Sequence, residues 1–576
     1  MAHTPTPADV ATDAPAIRIH GAGTGGWALI RALELLGVDT VFGLPGDLAA
    51  PAFARLHTSK SLRAVTVRQE QGGGLAAEGY AQATGKVGVV LTASGPGAAS
   101  LVTPLLDAMA DSVPLVAITG RVGFAAVGKD SMDEADIVGV SIPVAKHSLL
   151  VTRAEEIPSA VSEAFYLAST GRPGPVLVDI TRSALLGKAH FEWPAPIDLP
   201  GYHPVTTPNA RQVRSAGARL ASAHRPVLYV GGGVVSGRAT GELAELAEAT
   251  GAAVVTTLAG RSAFPSAHPH NLGMPGRYGT VPAVAALQQA DLIVAIGARF
   301  AEQVTGALSR FAPDAQIVHV DIDPAEISRV READVPIVGD AKETLPAITA
   351  AFRSHKRCAD HTKWWEYLDG LRAAFPPGYP NVHSGAIRPE YVLDRLGKLA
   401  PDAIWVTGTG RQQLMAAHFL PVERPGQWIA AAGAGTQGFA LPAAIGAQIG
   451  QPGAAIWAID GEGSFLRTAQ ELASARAESA PVKVALIDNA EPDFTGSRIP
   501  DFAELAVALG GAAKRVERPN DVDPAIQWAM SVRDRPVVVD FRTTRVTDRW
   551  PVVGDELPDS VLAEARAMRP SFEEDE

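Results

Sequence analysis

Apolar positions along the chain alternate between two patterns. Short runs at 88–92, 113–119 and 175–179 are almost continuously apolar. The stretches between them, such as 71–84, gather apolar residues on one face at helical spacing. Strands of the first kind belong in a parallel sheet covered on both faces. From Ile17 to about Thr181 the pattern predicts helices over 27–37 and 71–84 and strands over 40–43, 88–92, 113–119 and 175–179. Five prolines between Glu192 and Asn209 then mark a linker. A second unit runs from Pro226 to about Phe352, with strands at 226–230, 253–256, 292–296 and 317–320. A helix over 361–374 and the stretch FPPGYPNVHSG lead into a third unit, with strands at 403–406, 454–459, 482–487 and 537–540 and a helix over 466–477. The expected fold is therefore α/β with three parallel-sheet domains: a tail to 15, domains over 16–188, 210–355 and 387–548, linkers over 189–209 and 356–386, and a C-terminal tail from 549.

Composition narrows the function classes. With 50 basic and 62 acidic residues the chain carries a formal charge of −12, the wrong sign for a nucleic-acid binder. A single cysteine, Cys358, excludes an intramolecular disulfide and a multi-cysteine zinc site, and it reads as structural. No apolar run approaches the ~20 residues needed to span a bilayer, and the N-terminus lacks the pattern of a secretory signal. The expectation is a cytoplasmic, multidomain protein acting on a small molecule.

Glycine is plentiful, so its placement must be weighed. Gly21–Gly26 matches G-x-G-x-x-G, but the run before it is short and no acid ends the next strand, so turn chemistry is preferred to a nicotinamide site. Gly231–Gly233 follows a strand and suits approach by a phosphate or by another backbone. Gly461-Glu462-Gly463-Ser464 follows the strand at 454–459, and Asn489 follows the next strand. Adjacent strands would bring Glu462 and Asn489 to one edge as hard oxygen ligands for Mg²⁺.

These residues resemble the thiamine-diphosphate enzyme family, in its acetolactate synthase branch. The likeness runs from about Ala22 to Pro551 and includes VFGLPG, RQEQGGGLAAEGYAQATGK, TASGPGAAS, DEADIVGVS, GRPGPVLVDI, GTQGFALPAAIGAQIG and AQELASARAESAPVKVALIDN. The resemblance implies a pyrimidine-binding, a central and a diphosphate-binding domain. It also implies an active site between subunits of a homodimer or homotetramer, with a regulatory subunit left open. Glu70 matches the glutamate that activates the aminopyrimidine. Glu462, Asn489 and Glu491 match the magnesium ligands. Gly408, Gln412, Gln413, Gly461, Gly463 and Ser464 match the surroundings of the diphosphate, and Gly435 and Gln437 match the pyrimidine side.

The departures fall where the chemistry happens. Glu462 stands for the usual aspartate, Gln437 for a bulky apolar residue and Arg182 for a lysine. Asp133, after Met132, takes the place of an amide that faces substrate, and Asp47 that of a glycine. Only ten residues separate Asn489 from Pro500. Carboxylates at Asp47 and Asp133 would repel an anionic keto acid, which implies an altered substrate or reaction. Arg172 and Gly297–Phe300 resemble flavin-contacting parts. However, Ala-Glu-Gln follows them, and Pro275 departs from the usual pattern, so FAD stays an alternative. A simple 2-oxo acid decarboxylase or C–C lyase, and a silent paralogue acting by binding, are the competing readings.

Overall fold

Each of the three apolar units closes into its own parallel sheet. The computed structural model describes residues 19–195, 197–379, 385–489, 500–545, 550–553 and 558–572. The first sheet runs, in spatial order, Arg63–Thr66, Thr40–Gly43, Gly88–Thr92, Leu115–Arg121, Pro175–Thr181 and His147–Val151. The central sheet runs Ala253–Thr256, Pro226–Val230, Leu292–Ile296, Gln316–Asp321 and Val335–Val338. The third runs Trp428–Ala430, Ile404–Thr407, Ile456–Gly461, Lys483–Asp488, Val537–Arg542 and Ala512–Val516. All their pairings are parallel.

In each sheet the chain first steps one strand to one side and then crosses back past its starting strand to the other. The reversal falls between the strands ending at Gly43 and Thr92, at Val230 and Ile296, and at Thr407 and Gly461. Beyond the carboxyl ends of such strand pairs the loops diverge and leave a crevice, which is where open α/β sheets bind ligands.

Two sequence-based expectations change. Lys188–Trp193 is not linker but a strand, paired antiparallel with Ile19–Thr24, so the linker begins after Trp193 rather than at 189. Its alternating burial, every second residue inward, ties it to the first domain's core. The predicted helix over 466–477 is also interrupted. Glu462–Phe465 forms one turn and Glu471–Ala477 another helix, because the Thr468 hydroxyl donates to the carbonyl of Gly438 (2.9 Å) and holds the segment between them as a turn.

The strand Ile19–Thr24 also disposes of the glycine fingerprint. Gly21 and Gly23 lie inside it, under the indole of Trp27, and Thr24 caps the following helix by accepting from the Trp27 amide (3.3 Å). No phosphate-binding turn is formed there.

Three helices join the first domain to the third: α1 (Glu70–Thr84), α2 (Val102–Asp111) and α3 (Ala440–Gly450). Helix α1 of the first domain lies against α3 of the third at backbone distance. A Cβ on Gly446 would come within 1.8 Å of the Ala76 carbonyl oxygen, and one on Gly79 within 2.1 Å of that of Ala443. Leu75 of α1 accordingly joins the third domain's core with Phe439, Leu441 and Ile445. Among the described residues, no helix is long and apolar enough to cross a membrane.

Candidate active site

Residues from three loops converge on the crevice of the first sheet. Glu70 opens α1 and is half-buried; its Oε1 would lie 2.8 Å from a Cβ on Gly97, so the loop after Gly88–Thr92 approaches that carboxylate closely. Asp133 meets the same loop, since its carbonyl accepts from the Ser94 hydroxyl (2.7 Å) and its Cα would touch a Cβ on Gly95 (3.1 Å). Asp133 adopts φ 63°, a left-handed conformation that aspartate tolerates better than most side chains. The turn before Asp47 rests on Ala93 through Gly46. Glu70, Asp47 and Asp133 thus border one loop, residues 93–97, and both aspartates are exposed.

The third domain fixes the start of α1. Glu471 is buried, and its carboxylate accepts from the amides of Arg68 (3.1 Å) and Gln69 (3.0 Å) and from the Ser474 hydroxyl (2.6 Å). A carboxylate on the free amides at a helix start satisfies donors that the helix cannot.

The crevice of the third sheet gathers the remaining candidates. Strands Ile456–Gly461 and Lys483–Asp488 are neighbours with Gly461 opposite Ile487, so Glu462 and Asn489 leave the same edge side by side. Burial raises the Glu462 carboxyl, and the nearby Asp488 adds to this against the opposing charge of Arg542. Arg542 in turn pairs with the fully buried Asp488 (2.9 Å) and Asp540 (3.1 Å). Asp460, also fully buried, accepts from the Gly461 amide (3.0 Å) on one oxygen, while its Oδ2 has no donor. Burial pushes its carboxyl up to about 7. A Cβ on Gly408 would lie 2.1 Å from the other Asp460 oxygen, so that loop crosses directly over the acid.

Gln412 and Gln413 turn their amides onto their own loop: Gln412 donates to the Thr409 carbonyl (3.0 Å) and Gln413 to the Thr407 hydroxyl (3.3 Å). The Ser464 hydroxyl accepts from the Gly438 amide (2.9 Å), bracing the turn that exposes Gly435 and Gln437. A Cβ on Gly463 would meet nothing within 4 Å, and the residue is exposed at this edge. Glu491 lies outside the described residues, as does the short segment after Asn489.

The crevice of the central sheet opens into a cavity of about 230 Å³, lined by Gly231–Gly233, Gly297, Arg299, Asp321 and Arg172 among others. Gly231 is explained by its neighbour rather than by a ligand, since a Cβ there would lie 1.9 Å from the Gly297 carbonyl oxygen.

Sequence reasoning missed Asp460 and Glu471. Asp460 ends the strand at 456–461, where the pattern marks only its neighbour Glu462. Glu471 bonds a residue 402 positions earlier in the chain, and no local pattern announces such a partner.

Family models match all three units. The N-terminal thiamine pyrophosphate (TPP) binding domain covers residues 23–140, the central domain 213–348 and the C-terminal TPP binding domain 408–541. The chain belongs to the thiamine pyrophosphate enzyme family. Within it, several curated relatives are named acetolactate synthase. The acetolactate synthase large subunit IlvB1 of Mycobacterium tuberculosis is 49% identical over 574 residues, covering 96% of this chain and 93% of its own length. The acetolactate synthase large subunit of Corynebacterium glutamicum is 46% identical, over 99% and 95%. Acetolactate synthase 1 of Zea mays is 41% identical, over 87% and 82%. This thiamine pyrophosphate enzyme therefore falls in the acetolactate synthase branch.

Proposed function

We propose that the chain makes or breaks a carbon–carbon bond beside the carbonyl of a 2-oxo acid or related substrate, in the manner of acetolactate synthase, using thiamine diphosphate and Mg²⁺. The observation that carries this is the pair of adjacent strand ends that set Glu462 beside Asn489, under a crevice floored by Asp460 and Gly408. The donors fit a hard cation, since they are a carboxylate and an amide oxygen at one sheet edge. Glu462, Asn489 and Glu491 would hold the ion; the exposed Gly463, Gly435 and Gln437 would meet the cofactor.

Thiamine diphosphate supplies a nucleophilic carbon and an electron sink for the bond beside the carbonyl. Glu70 would exchange a proton with the pyrimidine at its carboxylate, on a helix start fixed by Glu471. Asp47 and Asp133, exposed at the mouth of the first crevice, would disfavour a 2-oxo acid anion and weigh toward a related carbonyl substrate of lower negative charge. The first-domain and third-domain crevices are completed by a second copy of the chain. Exposed apolar side chains, Met132 at 89% and Ile142 at 69% with Val140 and Leu466, support a covered face there.

The central cavity does not fit the diphosphate of FAD. Arg172 is already held by Glu326 (2.6 Å) and Asp323 (3.2 Å), Arg299 donates to the Ala110 carbonyl (2.7 Å), and Asp111, Asp321, Glu326 and Asp340 line the space. No step is assigned to FAD.

Asp47 and the mere ten residues between Asn489 and Pro500 favour a second reading, decarboxylation or C–C cleavage without ligation. Calorimetry with thiamine diphosphate and Mg²⁺, followed by identification of the product from pyruvate, separates these readings. Acetolactate supports the first and an aldehyde the second, whereas no binding at millimolar cofactor refutes both. In the same titration Glu462→Ala should weaken Mg²⁺-dependent cofactor binding by roughly 10- to 100-fold. Unchanged affinity would remove Glu462 from the ligand set.

A further inference from the structure

Three acids are buried together between the first and third domains. Glu78 lies on α1, and Asp107 and Asp111 lie on α2. Their carboxylate oxygens lie within 4.8 Å of one another, and Glu78 and Asp107 are wholly inaccessible. Glu78 Oε2, Asp107 Oδ2 and Asp111 Oδ1 each lack a donor. Three ionised carboxylates at this spacing, away from water, would repel one another strongly, so something must bridge them.

The cluster faces the loop that leads to Gly435 and Gln437. The Thr436 hydroxyl donates to Asp107 Oδ1 across the domain boundary, and the Ala432 amide donates to Asp111 Oδ2 (2.8 Å). The other groups facing the cluster are few. Gln82 donates to Glu78 Oε1 (3.3 Å) from α1, the Gly433 amide faces Asp111, and Arg299 of the central domain acts on Asp111 through its charge. One guanidinium cannot neutralise three carboxylates, and it bears on only one of them. A proton is the smallest bridge that satisfies the orphaned oxygens, turning one carboxyl into a donor for the next.

We propose that Glu78, Asp107 and Asp111 form a proton-sharing latch that positions the 432–436 segment, and with it Gly435 and Gln437, on the first domain. Burial supports the protonated form: it raises Glu78 well above the ordinary range and pushes Asp111 up to about 7. An acid raised on folding binds more protons folded than unfolded. Its stabilising contribution is full below the unfolded value and is lost as pH rises through the folded one. For Asp111 that interval runs from the ordinary 3.8 to about 7. The latch stands on geometry alone; its bearing on the cofactor rests on the function proposed above. The three are positioning residues.

Hydrogen exchange of the full-length chain, without added cofactor, tests the latch apart from catalysis. Amides at 432–436, corrected for intrinsic exchange, should lose protection by at least about tenfold between about pH 5 and about pH 8. Glu78→Gln keeps the shape and donor of the protonated acid and should flatten that profile. Asp107→Ala removes the acceptor of Thr436 and should lower protection across the range, with Asp107→Asn restoring it. A wild-type profile flat in pH overturns the proposal without recourse to any variant. Protection lost on adding a chelator, rather than with pH, overturns it in favour of a bound cation. If cofactor binding fails while the pH profile holds, the function falls and the latch stands.

Discussion

Glu70→Gln should lower turnover by about two to four orders of magnitude under saturating thiamine diphosphate and Mg²⁺, the range expected for loss of a proton-transferring group. The amide is nearly isosteric. It would sit in the same half-buried position against Gly97, and the cap that Glu471 places on Arg68 and Gln69 would be untouched. Folding, followed by circular dichroism and thermal inactivation, should therefore match the parent. The discriminating measurement is kcat with the cofactor saturated, because weaker binding alone would be recovered at high concentration. Undiminished kcat would remove Glu70 from the chemistry, and a parallel loss of fold would make it a structural residue.

Gly446→Ala carries the largest expected effect on stability. The added methyl would meet the Ala76 carbonyl oxygen at 1.8 Å and the Tyr80 amide at 2.8 Å, both backbone atoms of α1 that cannot rotate away. Helices α1 and α3 must separate, and the packing of Leu75 into the third domain's core goes with them. A cost of about 3 kcal/mol is expected, read as an earlier midpoint in urea. Gly453→Ala is the control, since a methyl there meets nothing within 4 Å and should be silent. Because α1 begins at Glu70, turnover of Gly446→Ala should fall even below the temperature at which it unfolds. Equal urea midpoints for the two variants would refute the backbone contact between the helices.

Periodicity and apolar runs made the three-sheet architecture legible, because buried parallel strands leave a compositional mark that needs no distant information. Strands such as Pro226–Val230, Ala253–Thr256 and Leu292–Ile296 match their predicted bounds. Lys188–Trp193 was hidden because its alternating pattern sits beside a proline-rich stretch and its partner lies near the start of the chain. Within the site, Glu462 and Asn489 were legible from two consecutive strand–loop units whose register the sheet then supplied. Asp47 and Asp133 were legible as departures from a family pattern, but their gathering around residues 93–97 depends on loop paths that no local rule encodes. Glu471 and the acids at 78, 107 and 111 stayed invisible for the same reason: each owes its role to a contact across domains.

The Glu471 cap has a consequence for how such a chain can be rearranged. The residue that sets the start of the Glu70 helix is supplied by a different domain of the same chain. The first domain is therefore not a transferable module. Recombining it with a third domain that lacks an acid at this position would leave the amides of Arg68 and Gln69, at the entry to the helix, without their carboxylate acceptor. Chimaeras that exchange the first and third domains as a pair should keep the geometry, whereas exchanges that divide them should succeed only when the incoming partner brings its own carboxylate.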